Sequence, residues 1–422
     1  MDYQEALAYI GGSTWFGAEP GLDRIRELLE ALGRPQDRLK YVHIAGTNGK
    51  GSCAAMLSSI LKASGYKTGL FTSPYIQRFN ERMQINSRPI DDDVLTEIVS
   101  AVKPAAEAMA DHPTQFEMIT ACALLWFARE KCDIAVLEVG LGGRFDATNV
   151  IDEPEAAVIM NIGLDHTQVL GGTVEQIAFE KAGIIKPGCN CVLYQQEEKP
   201  AEVIRRICEE RNARLTEADF SALKEEFSSI DGQVFTYKGR TYALPLLGKN
   251  QLCNASVVLE AADVLRRKGW KLDPDDVEHG LYSVSWPARF EIVAEDPFFV
   301  VDGGHNPQCA GTVAENLLQY FPGYRRVILA GVMRDKDYPE ICRILSEVAD
   351  EFICVSPPGS PRALPAAELA AQFESAGRKA TACDTVRDAV SAAIDAAGKS
   401  GMVCAVGSLY LAGAVRTCFG LL

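Results

Sequence analysis

A chain of 422 residues, 47% hydrophobic and 23% charged, has the make-up of a soluble globular protein too long for one core, so two domains are expected. The formal net charge of −15 lacks the basic face nucleic acid would need, and no apolar run is long enough to span a bilayer; neither partner is expected. Thirteen scattered cysteines without C-x-x-C spacing suit buried thiols in a reducing cytoplasm rather than disulfides or zinc, and residues 1–18 show no secretory leader.

In chain order, the apolar run Tyr41-Val42-His43-Ile44-Ala45 reads as a strand over 42–45, followed by Gly46-Thr47-Asn48-Gly49-Lys50-Gly51-Ser52. Residues 53–64 then set Ala54, Leu57, Ile60 and Leu61 on one helical face. Strand, glycine-rich turn and helix form the context in which backbone N–H groups and a helix N-terminus cradle phosphate. Lys50 adds a mobile cation, and Ser52 a hydroxyl able to reach Mg²⁺ on a nucleotide's phosphates. The loop departs from G-x-x-x-x-G-K-[ST], with Ile44 at the first glycine position and Gly51 between lysine and serine.

Further strands are expected over 68–72, 134–139, 156–162 and 191–194, with helices over 117–131 and 200–212. Residues 232–242 read as one strand, an antiparallel trimming of the sheet. The alternation then restarts, with strands over 298–301, 326–330, 351–355 and 402–406 and helices over 308–320, 338–349, 365–376 and 385–397. The expected fold is α/β: a P-loop-type, largely parallel sheet domain over 1–288 and a smaller Rossmann-like α/β domain over 289–422, joined near 286–290.

Ligands of open α/β sheets gather at the carboxyl ends of strands. Glu138 ends one such strand before Gly140, Gly142 and Gly143, where it either meets Mg²⁺ or caps a loop. His166 follows the strand 156–162 with Asp165 beside it to orient the ring; alone it reads as structural or as a ligand. Ser73 either offers its hydroxyl to the same crevice or is a turn serine before Pro74. In the second half, Asp302-Gly303-Gly304-His305-Asn306-Pro307 follows a strand; either it is a simple turn of Gly, Asn and Pro, or it places Asp302 to accept from a ribose hydroxyl and His305 to approach the transferred phosphate. Arg289, between the domains, can clamp phosphate. Lys336 is open between a phosphate or glutamate contact and a surface ion pair. Phe79, Arg82 and Met83, with Arg78, suit a flat heteroaromatic acid, or else form a surface loop with solvated arginines.

Gly46 to Ser52, Thr72 to Arg82, Leu137 to Asn149, Gly163-Leu164-Asp165-His166, Glu180 to Ile184, Trp286 to Arg289, Asp302 to Pro307, Asp335-Lys336-Asp337 and Gly407 to Leu411 form an ordered series of blocks along the chain. The series resembles the folylpolyglutamate synthase/dihydrofolate synthase family of the Mur ligase superfamily, whose members join an amino acid to a carboxylate at the expense of ATP. The resemblance implies an ATP site at Thr47, Asn48, Gly49, Lys50, Gly51, Ser52, Asn254, Arg289 and Asp302, with Asn254 on the adenine side. It implies Mg²⁺ at Ser73, Glu138 and His166, and a second Mg²⁺ at Lys181 carried as a carbamate; by composition alone Lys181 is an ordinary helix lysine. Asp146 and Ala147, with Phe79 and Arg82, would contact folate, and Lys50, Lys181 and His305 would carry catalysis. Asn250 stands where some relatives have histidine and is left out of the site. The expected activity is addition of L-glutamate to a reduced folate, and also to dihydropteroate, through an acyl phosphate, by a cytoplasmic monomer. The competing expectations are a Mur-type ligase of UDP-sugar peptides and a P-loop ATPase that ligates nothing.

Overall fold

In the computed structural model, which describes residues 1–12 and 20–421, the first eight strands build one sheet. The expectation of no leader over 1–18 therefore lies partly outside the described residues. The strands are β1 (Tyr41–Ala45), β2 (Thr68–Phe71), β3 (Met83–Ile85), β4 (Arg88–Pro89), β5 (Ile134–Glu138), β6 (Ala156–Ile159), β7 (Asn190–Leu193) and β8 (Arg214–Glu217). They lie in the order β4-β3-β2-β5-β1-β6-β7-β8. The β2–β3 and β3–β4 pairs are antiparallel and the others parallel.

Every residue of β1, β5 and β6 is buried, as expected of parallel strands covered on both faces. One face packs on the helices Lys50–Ala63, Lys249–Arg267 and Pro274–Tyr282 through Ile44, Leu57, Ile60, Val158, Val258 and Leu281. The other packs on Asp92–Ala108 and Gln115–Arg129 through Leu95, Val99, Ile119, Phe127 and Leu137. Strand register sets the height of the loops. Ile44 lies opposite both Glu138 and Val158, so the adjacent strands β5, β1 and β6 end at one level.

Three expectations need correction. Residues 232–242 do not form one strand trimming the sheet. They form the hairpin β10 (Gly232–Tyr237) and β11 (Arg240–Leu244), which joins β9 (Leu223–Ser229) in a separate three-stranded antiparallel sheet. Its two-residue turn, Lys238-Gly239, has φ of 47° and 81°, the left-handed pair that matches strand twist. The strand expected over 156–162 stops at Ile159, and the Asn161 carbonyl beyond it accepts the Thr47 N–H at 2.7 Å instead of a ladder partner. The helix after the glycine-rich turn starts at Lys50 rather than Cys53.

The second sheet comprises β12 (Glu291–Glu295), β13 (Phe298–Val301), β14 (Arg325–Ala330), β15 (Glu351–Val355), β16 (Lys379–Cys383) and β17 (Gly401–Val406), in the order β12-β13-β17-β14-β15-β16. Only β12–β13 is antiparallel. The helices Pro307–Tyr320, Tyr338–Ser346, Ala366–Ser375, Val386–Ala397 and Leu409–Cys418 cover its faces, giving the expected second α/β domain. The loop after β2 bolts the two domains together. Ile76 packs on the second domain's core, and Gln77 Nε2 donates to Thr417 Oγ1 (3.1 Å) and to the Leu421 carbonyl (2.7 Å). Gly413 permits this approach, since a Cβ there would stand 2.0 Å from the Ile76 carbonyl oxygen. Among the described residues no helix is long and apolar enough to cross a membrane.

Candidate active site

Because β2, β5, β1 and β6 are neighbours with a shared polarity, their carboxyl ends deliver Ser73, Glu138, the glycine-rich loop and Asn161–His166 side by side. The carboxyl ends of β13 and β14 deliver Asp302–His305 and Lys336 from the second domain. One cleft between them is lined by residues Thr47 to Ser52, Ser73, Glu138, His166, Lys181, Asn254, Arg289, Asp302 and His305. These are the sequence candidates for nucleotide and metal, drawn from both domains.

In the loop, Gly49 adopts φ 84°, and a Cβ there would meet Asn254 Oδ1 at 2.6 Å. Glycine is required on both counts. Thr47 clamps the loop to the end of β6, its Oγ1 donating to the Gly163 carbonyl (3.0 Å) and accepting the Gly163 N–H (3.1 Å). Lys50 opens the helix Lys50–Ala63, whose first N–H groups have no intrahelical acceptor and so form an anion site. Among the described residues its Nζ reaches the Thr47 carbonyl, at 3.3 Å, a long contact that lets the ammonium swing toward phosphate.

Glu138 is buried at the next strand end and accepts the Ser73 N–H at 3.1 Å. Burial raises its pKa above the ordinary carboxylate value, against the opposing pull of Lys50, the Ser73 N–H, Arg289 and Arg82. His166 is lowered by burial and by Lys336, which favours the neutral, ligating imidazole. Among the described residues no three His, Cys, Asp or Glu side chains converge as a closed metal site. One carboxylate, nearby hydroxyls and an imidazole fit instead a hard cation such as Mg²⁺ that takes its remaining ligands from phosphate and water. Glu138→Gln and His166→Ala are each expected to raise the Mg²⁺ concentration for half-maximal rate by at least about tenfold, the loss that even outer-shell changes bring. An unchanged Mg²⁺ titration in both variants would place the cation elsewhere.

Lys181, on the helix Val174–Ala182, is not the solvated lysine its composition suggests. It is 3% exposed and donates to the Gly46 carbonyl at 2.9 Å. Burial, reinforced by Lys50, lowers its pKa to about 7, so a large share of the amine is neutral near neutrality.

Across the cleft, the Asp302 carboxylate accepts from Phe290 N (2.8 Å) and Gly304 N (2.7 Å). It thereby ties the interdomain segment to the strand-end loop. The Arg289 guanidinium donates to its own neighbour, the Ala288 carbonyl, at 3.0 Å and looks into the cleft. The His305 ring lies 3.0 Å from the Gly303 carbonyl through Nδ1 and 3.8 Å from Asp165 through Nε2; burial, then Lys336, lowers its pKa to about 4. Lys336 is neither a surface pair nor free. It is 9% exposed, and its Nζ donates to Asp165 Oδ1 at 2.6 Å, crossing between the domains. Burial alone would raise Asp165; Lys336, His166 and His305 overturn that and hold it well below the usual carboxylate range. The glycine-rich loop joins this seam: Asn48 Nδ2 donates to Gln308 Oε1 (2.6 Å), and Asn306 Nδ2 donates to Asn48 Oδ1 (3.0 Å).

Residues 44–262 match the Mur ligase middle domain, and residues 288–409 the Mur ligase glutamate ligase domain. A dihydrofolate synthase/folylpolyglutamate synthase of Bacillus subtilis is 39% identical over 359 residues, 82% of this chain and 83% of the relative. The folylpolyglutamate synthase of Lacticaseibacillus casei is 38% identical over 429 residues, 99% and 98% of the two chains. The chain belongs to the folylpolyglutamate synthase/dihydrofolate synthase family of Mur ligases. It is an ATP-dependent ligase. Among solved structures, Mycobacterium tuberculosis folylpolyglutamate synthase complexed with ADP and AMPPCP matches with TM-score 0.90 and 33% identity, covering 99% of each chain. Escherichia coli FolC in complex with DHPP and ADP matches with TM-score 0.89 and 29% identity over 100% of this chain and 98% of that one.

Four sequence candidates do not line the cleft of this ligase. Asp146 is buried and its carboxylate is used internally, accepting from Leu141 N (2.9 Å), Thr148 N (3.0 Å) and Thr148 Oγ1 (2.5 Å). Ala147 is 5% exposed within the core beneath the same turn. Phe79 and Arg82 stand beside the cleft, on the loop that starts at Ser73. Arg78, the other arginine offered for carboxylates, is paired with Asp92 at 2.7 Å. Conversely, Asn161, Gln308 and the omitted Asn250 do line the cleft, with the Asn161 and Asn250 Oδ1 atoms buried and without partners. Asn161 had a signal in sequence, near the end of an apolar run, and Asn250 had one in standing where some relatives have histidine; Gln308 had none.

Proposed function

We propose that this ligase adds L-glutamate to folate acceptors: to the glutamate tail of a reduced folate, and to the carboxylate of dihydropteroate. The carrying observation is the facing of two strand-end crevices across one cleft, Lys50 and the phosphate loop on one side, Asp302, His305 and Arg289 on the other. In this reading the loop N–H groups and Lys50 hold the β- and γ-phosphates of ATP, Asn254 lies on the adenine side, and Asp302 and Arg289 reach the ribose and phosphates. An acceptor carboxylate oxygen bonds to the γ-phosphorus as the bond to ADP breaks, making an acyl phosphate. The glutamate amine then forms the C–N bond, the C–O bond to phosphate breaks, and the amine loses a proton. His305, kept neutral, can hydrogen-bond the transferred phosphate. Mg²⁺ held by Ser73, Glu138 and His166, and a second ion at Lys181, would neutralise phosphate charge. The depressed pKa of Lys181 supplies the neutral amine that carbamate formation requires. Closure of the two domains would keep water from the acyl phosphate.

We set the domain boundary at 288/289; this lies in the segment between the helix Pro274–Tyr282 and β12. A monomer suffices, because one chain supplies both walls of the cleft. The thirteen cysteines are all free thiols, which suits a reducing cytoplasm. Purified protein with MgATP and labelled L-glutamate is expected to label both tetrahydrofolate and dihydropteroate. Label on tetrahydrofolate alone would reduce the activity to tail extension. Label on neither would remove folate and leave another carboxylate acceptor.

A further inference from the structure

Arg289 looks into the cleft from a segment whose backbone is held in an unfavourable shape. The residues on either side of it, Ala288 and Phe290, adopt φ of 55° and 48°, the left-handed region that residues other than glycine rarely occupy. Both are buried, Ala288 in the core on one face of the second sheet and Phe290 in the core on the other. Such a conformation persists only where its surroundings impose it. Three hydrogen bonds do so here. Ala288 N donates to Glu291 Oε2 (2.8 Å), Phe290 N donates to Asp302 Oδ2 (2.8 Å), and the Ala288 carbonyl accepts from Gly303 N (2.9 Å). The Arg289 guanidinium folds back on that same carbonyl and lies against Gly303, where a Cβ would stand 2.8 Å from Nη1. Glu291 is held in turn. Its Oε1 pairs with Nη1 of Arg416, a buried residue of the helix Leu409–Cys418, and Arg416 Nε donates to Gln77 Oε1 of the first domain at 2.8 Å.

We propose that Glu291 and Arg416 form a positioning pair for Arg289, fixing the left-handed turn of residues 288–290 so that the guanidinium is aimed at nucleotide phosphate before ATP arrives. The proposal rests on the reading above in which Arg289 clamps phosphate, and it names what keeps Arg289 in place. Neither Glu291 nor Arg416 is among the residues lining the cleft, so both act through Arg289 rather than on substrate. The two carboxylates on the segment differ in this respect. Asp302 lines the cleft within reach of a nucleotide, whereas Glu291 turns its oxygens to the Ala288 N–H and to Arg416. Glu291 cannot swing out to solvent without breaking a pair whose guanidinium is withdrawn from water, which is costly. A long side chain preset by its backbone also loses less freedom on meeting phosphate than one that must first be ordered.

The test is calorimetry of ADP binding to the parent enzyme, Glu291→Ala, Glu291→Gln, Arg289→Ala and the double variant Glu291→Ala/Arg289→Ala, beside thermal melts. Glu291→Ala is expected to weaken ADP binding by about tenfold, the loss of one hydrogen bond to a charged group. Glu291→Gln keeps an oxygen for the Ala288 N–H but loses the charge pair, and should fall between parent and alanine variant. Being isosteric, it carries the test if the alanine variant does not fold. The double variant should bind ADP no more weakly than Arg289→Ala by itself, because Glu291 acts through that guanidinium. Losses that add in the double variant, or a lowered melting temperature with ADP affinity intact in both Glu291 variants, would overturn the assignment. If Arg289→Ala bound ADP like the parent, the phosphate-clamp reading would fail separately. The turn is then read directly by limited trypsin digestion, following the fragment that ends at Arg289 by mass spectrometry. Faster cleavage there in the Glu291 variants than in the parent supports the hold of the pair on the turn, and equal rates refute it.

Discussion

Lys50→Ala is expected to lower kcat by roughly a hundred- to a thousandfold, the loss typical of removing one preorganised charge-stabilising group. Lys50 stands at the first turn of the helix Lys50–Ala63, and among the described residues its ammonium donates to the Thr47 carbonyl. Its removal therefore takes away neither core packing nor a cap, and the melting temperature should stay within a few degrees of the parent. Alanine is also a good helix former, so the loop geometry should persist. The measurement is ADP release with MgATP, L-glutamate and acceptor, beside a thermal melt. Undiminished ADP release from a well-folded variant would sink the assignment of the loop to ATP phosphate.

The second large effect is expected at the seam between the domains. Asp302→Ala removes the acceptor of two N–H groups, Phe290 and Gly304, each of which costs about 1–3 kcal/mol if left unsatisfied. Those N–H groups belong to the interdomain segment and to the loop carrying His305, so their release should unsettle Arg289 and His305 together. Lys336→Ala strips Asp165 of its ammonium partner and leaves a mostly buried carboxylate at the seam, a loss of about 3–5 kcal/mol by analogy with other broken buried pairs. Both variants should lose at least about a hundredfold in kcat, since misplacement by an ångström can cost that much. Nucleotide binding by the first domain alone, followed with ADP, should suffer less than turnover. Wild-type kcat and KM in both variants would show that the second domain contributes nothing to this active site.

The nucleotide loop was legible because its elements are local. A buried parallel strand, a turn needing left-handed glycine and an apolar helical face are all written within residues 41 to 64, and they fold on one another. Glu138, Ser73, His166 and Asp302 were legible for a related reason, since each ends an apolar run, and strand ends of α/β sheets are where ligands collect. The hairpin at Lys238-Gly239 escaped notice because the turn dipeptide sits inside a continuous run of strand-forming residues. The edge strand β16 escaped because it is short, largely exposed and built mainly of small residues rather than the β-branched and aromatic ones that mark a strand.

Tertiary structure alone decided the partners. Residue type shows that Lys336 is a cation and Asp165 an anion, but only the facing of two sheets puts them 2.6 Å apart in a seam closed to water. Composition makes Lys181 a helix lysine; burial beside Gly46 and Lys50 changes its acidity. Arg78 and Arg82 look alike in sequence, four residues apart on one loop. The fold gives Asp92 to the first and sets the second among aromatic rings, with its Nη1 on Ser73 Oγ. Local propensity and apolar period act along the chain and can be read from it. Desolvation and charge pairing depend on what the fold brings alongside, and they set the chemistry of each group only once both domains are in place.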